Sequence, residues 1–197
     1  MEKKLLIIFV KNAKLGKVKT RLAKSIGDEK ALEVYNQLVE ITEKATQQLI
    51  VHKRVYFSEE IIEEKWQKTS KHVQKGAGLG EKMQKAFKKA FKDGFEKIIL
   101  IGSDLPEISA EIIQEGFDSL DKNEVVFGPA EDGGYYLVGM KKSQPFIFEN
   151  KPWSNPKLLE TTLKELGKQD VSFSLLKILN DIDTFEDFKS SKIYTDA

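Results

Sequence analysis

The sequence predicts an α/β protein in which helices cover both faces of a mixed, mainly parallel β-sheet. Short apolar segments rich in β-branched residues alternate with longer segments in which apolar residues recur about every 3.6 positions. Two of the short segments are apolar throughout, which is typical of central parallel strands covered on both faces. No internal repeat, low-complexity tract or Pro/Gly/Ser-rich linker divides the chain. We therefore expect a single three-layer α/β/α domain over residues 1–197.

The two fully apolar segments, residues 5–10 and 98–101, predict central strands. Weaker strand signals at residues 55–57, 125–127, 136–138 and 171–173 complete the predicted sheet. The first segment follows two lysines, as in a signal peptide, but it is shorter than the roughly 7–15 apolar residues that such a peptide needs. No other segment is long enough to span a membrane, so the expected location is the cytoplasm.

Three further segments have the apolar stripe of a buried helix face. The first stripe consists of Ala31, Val34, Tyr35, Leu38, Ile41, Thr42, Ala45 and Leu49. The second consists of Met83, Ala86, Phe87, Ala90, Phe91 and Phe95, on a helix whose other face is rich in lysine. The third follows Pro156 and consists of Leu158, Leu159, Thr162, Leu163 and Leu166, with Gly167 as the expected helix end.

Composition excludes several kinds of chemistry. The chain has no cysteine and two histidines, which excludes disulfides, thiolate metal sites and cysteine nucleophiles and disfavours zinc. Its net charge of +1 gives no overall field that would attract nucleic acid or an anionic membrane. We therefore expect small-molecule partners, with no nucleic acid and no membrane.

The loop after the first predicted strand is the first candidate site, because ligands of open α/β sheets bind beyond the carboxyl ends of the strands. Residues 11–22 hold four lysines, an arginine and a glycine, and the loop is expected to run into a short helix. Lys14, Lys19, Thr20 and Arg21 are the candidate phosphate ligands. A solvated basic loop is the alternative. The segment does not match a Walker A loop.

A glycine-rich turn and a short acidic motif are the second and third candidates. Gly78 and Gly80 precede the second helix, where backbone can approach a ligand closely, although the pattern favours a simple flexible turn. Asp104 follows the strand at residues 98–101, where a magnesium-binding carboxylate is expected because Mg²⁺ takes one or two protein carboxylates plus phosphate oxygens. The alternative is that Asp104 caps the following turn.

Two more acidic segments lie further along the chain. Glu131 and Asp132 precede two glycines between predicted strands, where they suit either a general base or a hairpin turn. In residues 181–184 alternate acids would point the same way on an extended backbone, so that one could reach a metal. The alternative is that Asp183 or Thr184 caps a helix, with Asp187 near its third or fourth position.

In this order the motifs resemble the GT-A nucleotide-diphospho-sugar transferase superfamily, specifically a bacterial branch associated with arsenosugar biosynthesis. They are Val18-Lys19-Thr20-Arg21-Leu22, Gly78-Leu79-Gly80-Glu81-Lys82-Met83, Gly102-Ser103-Asp104-Leu105-Pro106, residues 128–136 and Asp181-Ile182-Asp183-Thr184. The resemblance implies a Rossmann-like sheet, with a nucleotide pocket in the N-terminal half that includes Lys82 and an acceptor pocket in the C-terminal half. It also implies Mg²⁺ or Mn²⁺ at Asp104. Gly-Ser-Asp lacks one acid of the superfamily's Asp-x-Asp motif, and Asp183 is the expected replacement.

These features lead to a metal-dependent glycosyltransferase as the first hypothesis, with a nucleotide sugar as donor and a small molecule as acceptor. Asp132 is the candidate general base and Glu131 its substitute. The candidate acceptor ligands are Gly133, Gly134, Tyr135 and Trp153. A guanylyltransferase-like nucleotidyltransferase that releases pyrophosphate is the alternative, and a non-catalytic nucleotide-binding module is the second. The sequence leaves the base, the sugar, the acceptor and the oligomeric state open.

Overall fold

The computed structural model describes residues 3–194, which form a seven-stranded sheet flanked by helices. The strands are β1 (Lys4–Val10), β2 (His52–Phe57), β3 (Ser70–Val73), β4 (Lys97–Ile101), β5 (Val125–Pro129), β6 (Tyr135–Met140) and β7 (Phe173–Leu175). The α-helices are α1 (Thr20–Ile26), α2 (Asp28–Gln47), α3 (Leu79–Lys92), α4 (Ala110–Lys122), α5 (Leu158–Lys168) and α6 (Phe185–Ser190). Pro145–Ile147 form a short 3-10 helix. Within residues 3–194, no helix has the length and apolar character needed to cross a membrane.

The sheet is mixed and mainly parallel, as predicted. Its strand order is β3-β2-β1-β4-β6-β5-β7, and among the described strands β6 alone runs antiparallel to its neighbours. In the centre Ile8 pairs with Val55 on one side and with Ile101 on the other. The chain leaves β1 toward β2 and later enters β4 on the opposite side of β1. A crevice is therefore expected between the carboxyl ends of β1 and β4.

Apolar side chains alternate between the two faces of the central strands and form two separate cores. Leu6, Ile8 and Val10 belong to one core, which α2 joins through Tyr35 and Val39. Leu5, Ile7 and Phe9 belong to the other core together with Met83 and Phe87 of α3 and Leu166 of α5. The three-layer α/β/α arrangement predicted from the apolar runs is thus confirmed.

The sequence patterns did not predict β3 and α4. β3 is an edge strand with the sequence SKHV, so it has no apolar run and becomes a strand by pairing with β2. α4 contains Gly116, which weakens a helix. A Cβ at Gly116 would lie 2.9 Å from Ile99 Cδ1, so this glycine lets the helix pack closely on β4.

Four predicted boundaries are wrong. The last strand begins at Phe173 instead of residue 171, because Phe173 is the first residue that pairs with β5. Gly167 lies inside α5, since the helix continues to Lys168. Leu49 and Phe95 lie beyond the ends of α2 and α3, although both still pack against the cores.

The turn between β5 and β6 depends on Gly133. This residue has a φ of 85°, in the left-handed region, and an added Cβ would lie 2.0 Å from the Pro156 carbonyl oxygen. The Gly133 carbonyl also accepts a 3.0 Å hydrogen bond from the Leu159 amide at the start of α5. The glycine therefore joins the turn to α5.

We expect Gly133→Ala to lower the free energy of unfolding by about 2–4 kcal/mol, because alanine disfavours this φ and its methyl group collides with Pro156. The control is Gly167→Ala, since a Cβ at this helical position meets no atom within 4 Å. That substitution should stabilise the protein by up to about 1 kcal/mol. Urea unfolding measures both, and equal stabilities would contradict this account of the turn.

Candidate active site

A cavity of about 630 Å³ opens at the crevice between β1 and β4. Its walls come from the loop after β1, the start of α3, the loop after β4, the β5–β6 turn, the segment around Trp153 and residues 181–183. Its charged lining residues are Lys11, Lys19, Lys82, Asp104, Asp132, Asp181 and Asp183. Lysines and aspartates that are far apart in the sequence thus share one space.

An ion pair between Lys19 and Asp104 joins the two loops that face each other across the crevice. The Lys19 Nζ atom lies 3.0 Å from Asp104 Oδ2. The lysine side chain is 6% exposed and that of the aspartate 44%, so the carboxylate keeps a face open to the cavity. The basic loop and the acidic motif therefore meet, as the sequence reading requires.

Lys19 has an unusual backbone conformation. Its φ of 45° and ψ of 45° lie in the left-handed region, directly before α1. Such a conformation costs a non-glycine residue on the order of 1 kcal/mol or more and is often found at functional sites. The surrounding contacts must hold the residue there, and the ion pair with Asp104 is one of them.

Tyr35 of α2 connects the same two loops from behind the cavity. Its hydroxyl accepts a 3.0 Å hydrogen bond from the Lys11 amide and donates a 2.9 Å bond to the Lys11 carbonyl. It also lies 3.2 Å from Ser103 Oγ, next to Asp104 in the chain. Burial is the main reason that the pKa of Tyr35 rises to about 12, and the Asp104 charge adds to it.

The cavity is lined by four carboxylates, and the charges of the other three affect the pKa of Asp181. We call the surface formed by Asp104, Asp132, Asp181 and Asp183 the acidic wall. Burial first, and then the negative charges of Asp104, Asp132 and Asp183, raise the pKa of Asp181 to about 6, although Lys19 opposes the shift. Asp183 Oδ2 accepts a 2.8 Å bond from Arg21 Nη1, while Asp132 Oδ1 accepts a 2.8 Å bond from the Gly134 amide. A cation near this wall would relieve the repulsion.

The donor set suits a metal that takes few protein ligands. Among residues 3–194, no three or more His, Asp or Glu side chains are grouped so that they could hold an ion by themselves. Mg²⁺ and similar ions typically take one or two carboxylates and complete their shell with water and phosphate oxygens. Asp104, with a neighbouring aspartate, fits that pattern, but a structural all-protein metal cage does not.

The family model described as an uncharacterized protein conserved in bacteria (DUF2064) matches residues 39–155, which is more than half of the 197 residues. The chain belongs to this family. No curated protein matches the DUF2064 chain in a sequence comparison.

Solved structures extend the comparison. A Desulfovibrio desulfuricans G20 protein, described provisionally as a nucleotide-diphospho-sugar transferase, is 28% identical with a TM-score of 0.87, over 98% of this chain and 92% of that one. The inositol-1-phosphate CTP transferase from T. maritima is 14% identical with a TM-score of 0.63, over 96% and 93%. A Mycobacterium tuberculosis H37Rv protein in complex with manganese is 10% identical with a TM-score of 0.56, over 95% and 96%. The last two share the fold. The resemblance to nucleotide-diphospho-sugar transferases is thus confirmed, whereas the link to arsenosugars stays a prediction.

The cavity brings together most of the residues that the sequence nominated. Nine of them line it: Lys19, Thr20, Lys82, Asp104, Asp132, Gly134, Tyr135, Trp153 and Asp183. Arg21 lies on the rim, where its exposed side chain bonds Asp183. Of the two candidate caps in this segment, Thr184 caps α6, in a capping box with Asp187, whereas Asp183 lines the cavity.

The other candidate residues from the sequence do not line this cavity. Lys14 points away from the cavity and forms a 2.5 Å ion pair with Glu59. Glu131 lines a separate cavity of about 280 Å³, because adjacent residues of the turn face different sides. Three of the candidate glycines, Gly78, Gly80 and Gly133, do not line the cavity. A Cβ at Gly80 would lie 2.6 Å from Trp153 Cζ2, so this glycine packs against the Trp153 side chain. Gly78 directly precedes α3, and Gly133 shapes the β5–β6 turn.

Sequence reasoning missed several residues of the site. Tyr35 appears in the sequence only as one member of an apolar stripe, and nothing in that pattern indicates a hydrogen-bonding role. Gln74 lines the cavity just after β3, so recognising it required a strand that has no apolar signal. Asp181 lines the cavity together with Asp183. Alternate residues of an extended segment point to the same side, and this spacing could have indicated that both aspartates face the cavity.

The raised pKa of Asp181 makes stability depend on pH. Because the folded-state pKa of about 6 exceeds the usual 3.8, the folded protein binds this proton more tightly, so stability falls as pH rises from about 4 to above 6. Without divalent ions, Asp181→Asn should therefore stabilise the protein by about 1–3 kcal/mol at pH 7.5 and change it little at pH 4. Urea unfolding in EDTA measures the difference. The control is Asp118→Asn at an exposed position of α4, and a constant difference across pH for Asp181→Asn would contradict the assignment.

Proposed function

We propose that this DUF2064 protein is a transferase that uses a nucleotide-diphosphate sugar as donor and a small molecule as acceptor. The observation that carries the proposal is the Lys19–Asp104 pair, which sets a cation and a partly exposed carboxylate face to face at the carboxyl ends of β1 and β4. Ligands of open α/β sheets bind at such a point. The likeness to the Desulfovibrio protein over nearly the whole chain supports the donor class.

Lysines on two sides of the cavity are suited to bind the diphosphate. Lys11 and Lys19 lie on the β1 side and Lys82 lies on α3. Ammonium groups bind phosphate as point charges, and Thr20 adds a hydroxyl donor. When the sugar–phosphate bond breaks, negative charge grows on the departing phosphate, and these lysines lower the energy of that state.

The charge balance of the cavity favours a divalent cation. Four aspartates line it against three lysines, and Arg21 on the rim only brings the formal balance to neutral. A diphosphate would enter a space that is not cationic overall, so we propose that Asp104, together with Asp183 or Asp181, holds Mg²⁺ or Mn²⁺. Such an ion, when bound, neutralises phosphate charge as a Lewis acid. The manganese complex of the mycobacterial relative supports the choice of metal class.

Asp132 is proposed as the general base. Its carboxylate lines the cavity and is held in place by the bond that it accepts from the Gly134 amide. In the proposed step an acceptor hydroxyl oxygen bonds the anomeric carbon of the sugar and loses its proton to Asp132. The bond from that carbon to the diphosphate oxygen breaks, and the nucleoside diphosphate leaves with the electron pair.

A nucleotidyltransferase is the second candidate, and the three lysines favour it because a triphosphate carries more negative charge than a nucleotide sugar. In that reaction an acceptor phosphate oxygen bonds the α-phosphorus of a nucleoside triphosphate, and pyrophosphate leaves. The released product separates the candidates, since the first reaction yields a nucleoside diphosphate and the second yields pyrophosphate.

Product release from panels of nucleotide sugars and nucleoside triphosphates tests both candidates. With diamagnetic Mg²⁺ as the divalent ion and water as a weak acceptor, we expect ³¹P NMR to detect slow release of a nucleoside diphosphate from one nucleotide sugar. Asp104→Asn should slow that release at least about 100-fold, because it removes a proposed ligand of the divalent ion that would neutralise the charge growing on the departing phosphate. The exposed Asp118→Asn serves as control and should keep the wild-type rate.

Two results would overturn the proposal. Pyrophosphate release from a triphosphate would replace the glycosyltransferase by the nucleotidyltransferase. No turnover of any donor, combined with thermal stabilisation by a nucleotide, would instead favour a non-catalytic binding module.

A further inference from the structure

The hydroxyl of Tyr35 has more partners than its single proton can serve, and this determines the direction of each hydrogen bond. It donates its proton to the Lys11 carbonyl and accepts from the Lys11 amide. The contact of 3.2 Å with Ser103 Oγ must then run from the serine hydroxyl to the tyrosine oxygen. The network is therefore a directed chain from Ser103 through Tyr35 to Lys11.

This chain of hydrogen bonds is a second connection, behind the Lys19–Asp104 ion pair, between the segments that follow β1 and β4. Lys11 is the first residue after β1 and opens the loop that carries Lys19, while Ser103 immediately precedes Asp104. Tyr35 and Ser103 are buried and both line the cavity, and the tyrosine ring is anchored in the core beneath α2. A single buried hydroxyl thus connects α2 to both sides of the crevice.

We infer that Tyr35 is a positioning residue, whose hydroxyl sets the placement of Asp104 relative to the Lys19 loop and so the geometry in which a diphosphate is bound. The inference rests on the proposed function for the identity of the bound group. Misplacement of a binding or catalytic group by about 1 Å can cost two orders of magnitude in rate, so one buried contact behind the site can matter as much as a contact with the substrate. The raised pKa of Tyr35 supports the inference, since the hydroxyl keeps its proton across the physiological range.

Tyr35→Phe is the decisive variant, because it removes the hydroxyl and keeps the ring that packs in the core. It leaves the Lys11 amide without its Tyr35 partner, so amide hydrogen exchange at Lys11 should become faster. Tyr56→Phe is the matched control, because it makes the same chemical change at a buried tyrosine that does not line the cavity. It should leave exchange at Lys11 unchanged.

Inorganic pyrophosphate with Mg²⁺ is the binding probe, since every proposed donor contains its diphosphate group. Titration calorimetry should show that Tyr35→Phe weakens pyrophosphate binding about tenfold, which equals about 1.4 kcal/mol, whereas Tyr56→Phe does not. If Tyr35→Phe only destabilised the protein, the measured affinity would fall only because part of the sample was unfolded. Thermal unfolding of each variant therefore checks that the protein is folded at the temperature of the titration.

A double-mutant cycle with Asp104→Asn separates positioning from general stabilisation. If Tyr35 acts by placing Asp104, then Tyr35→Phe should change pyrophosphate affinity less than about twofold when Asp104→Asn is already present. Ser103→Ala, which removes only one link of the chain, should reproduce part of the loss. Full additivity of the two substitutions, or unchanged exchange at Lys11 in Tyr35→Phe, would overturn the inference.

The two readouts also distinguish this inference from the proposed function. If wild-type protein binds no pyrophosphate, the proposed function fails. The Lys11 exchange rates would still show whether Tyr35 orders the loop. If pyrophosphate binds and Tyr35→Phe binds it equally well, the inference fails alone.

Discussion

The divergence of the chain on either side of β1 is the constraint on which the rest of the structure depends. β2 and β4 both pair with β1, but the chain reaches them by crossovers in opposite directions, so the loops beyond β1 and β4 separate and leave a crevice. Lys19 and Asp104 span that crevice although 85 positions separate them in the sequence. Their ion pair keeps together two loops that the sheet itself would let drift apart.

Four aspartates and three lysines line the same cavity, and this combination of charges indicates which ligands the cavity could bind. Burial, and then the negative charges of Asp104, Asp132 and Asp183, raise the pKa of Asp181 to about 6, so its charged form is destabilised in the folded protein. A protein under selection for stability alone would gain by replacing some of these aspartates. Four aspartates beside three lysines are the residue types that the proposed binding of a phosphate anion together with a divalent cation would use.

The core that holds the fold together also shapes the cavity. Phe9, Met83 and Leu100 belong to the core between the sheet and α3, and they also line the cavity floor. Trp153 forms part of the same wall, and α3 reaches it because Gly80 has no side chain. Changes in this core should consequently alter both the stability of the protein and the shape of its site.

Local pattern was sufficient for those elements whose burial is visible in a short stretch of sequence. The continuous apolar runs predicted β1 and β4, and stripes of 3.6-residue period predicted α2 and α3, because each pattern follows from the faces that are covered. The same patterns placed Asp104 just after β4 and Lys19 in the loop that follows β1. β3 and α4 were missed, since an edge pairing and a glycine that fits beneath a strand depend on distant neighbours.

The sequence by itself determined the fold class, the order of the main elements and the residue types available for chemistry, since these follow from composition and from periodicity along the chain. Only the tertiary structure decided which of those residues share the cavity. Lys14 forms an ion pair with Glu59 instead of lining the cavity, and Gly80 packs against Trp153. Glu131 and Asp132 are adjacent in the sequence but line different cavities. The physical reason is that a side chain's role depends on its neighbours in space, and those neighbours come from elements far away in the sequence.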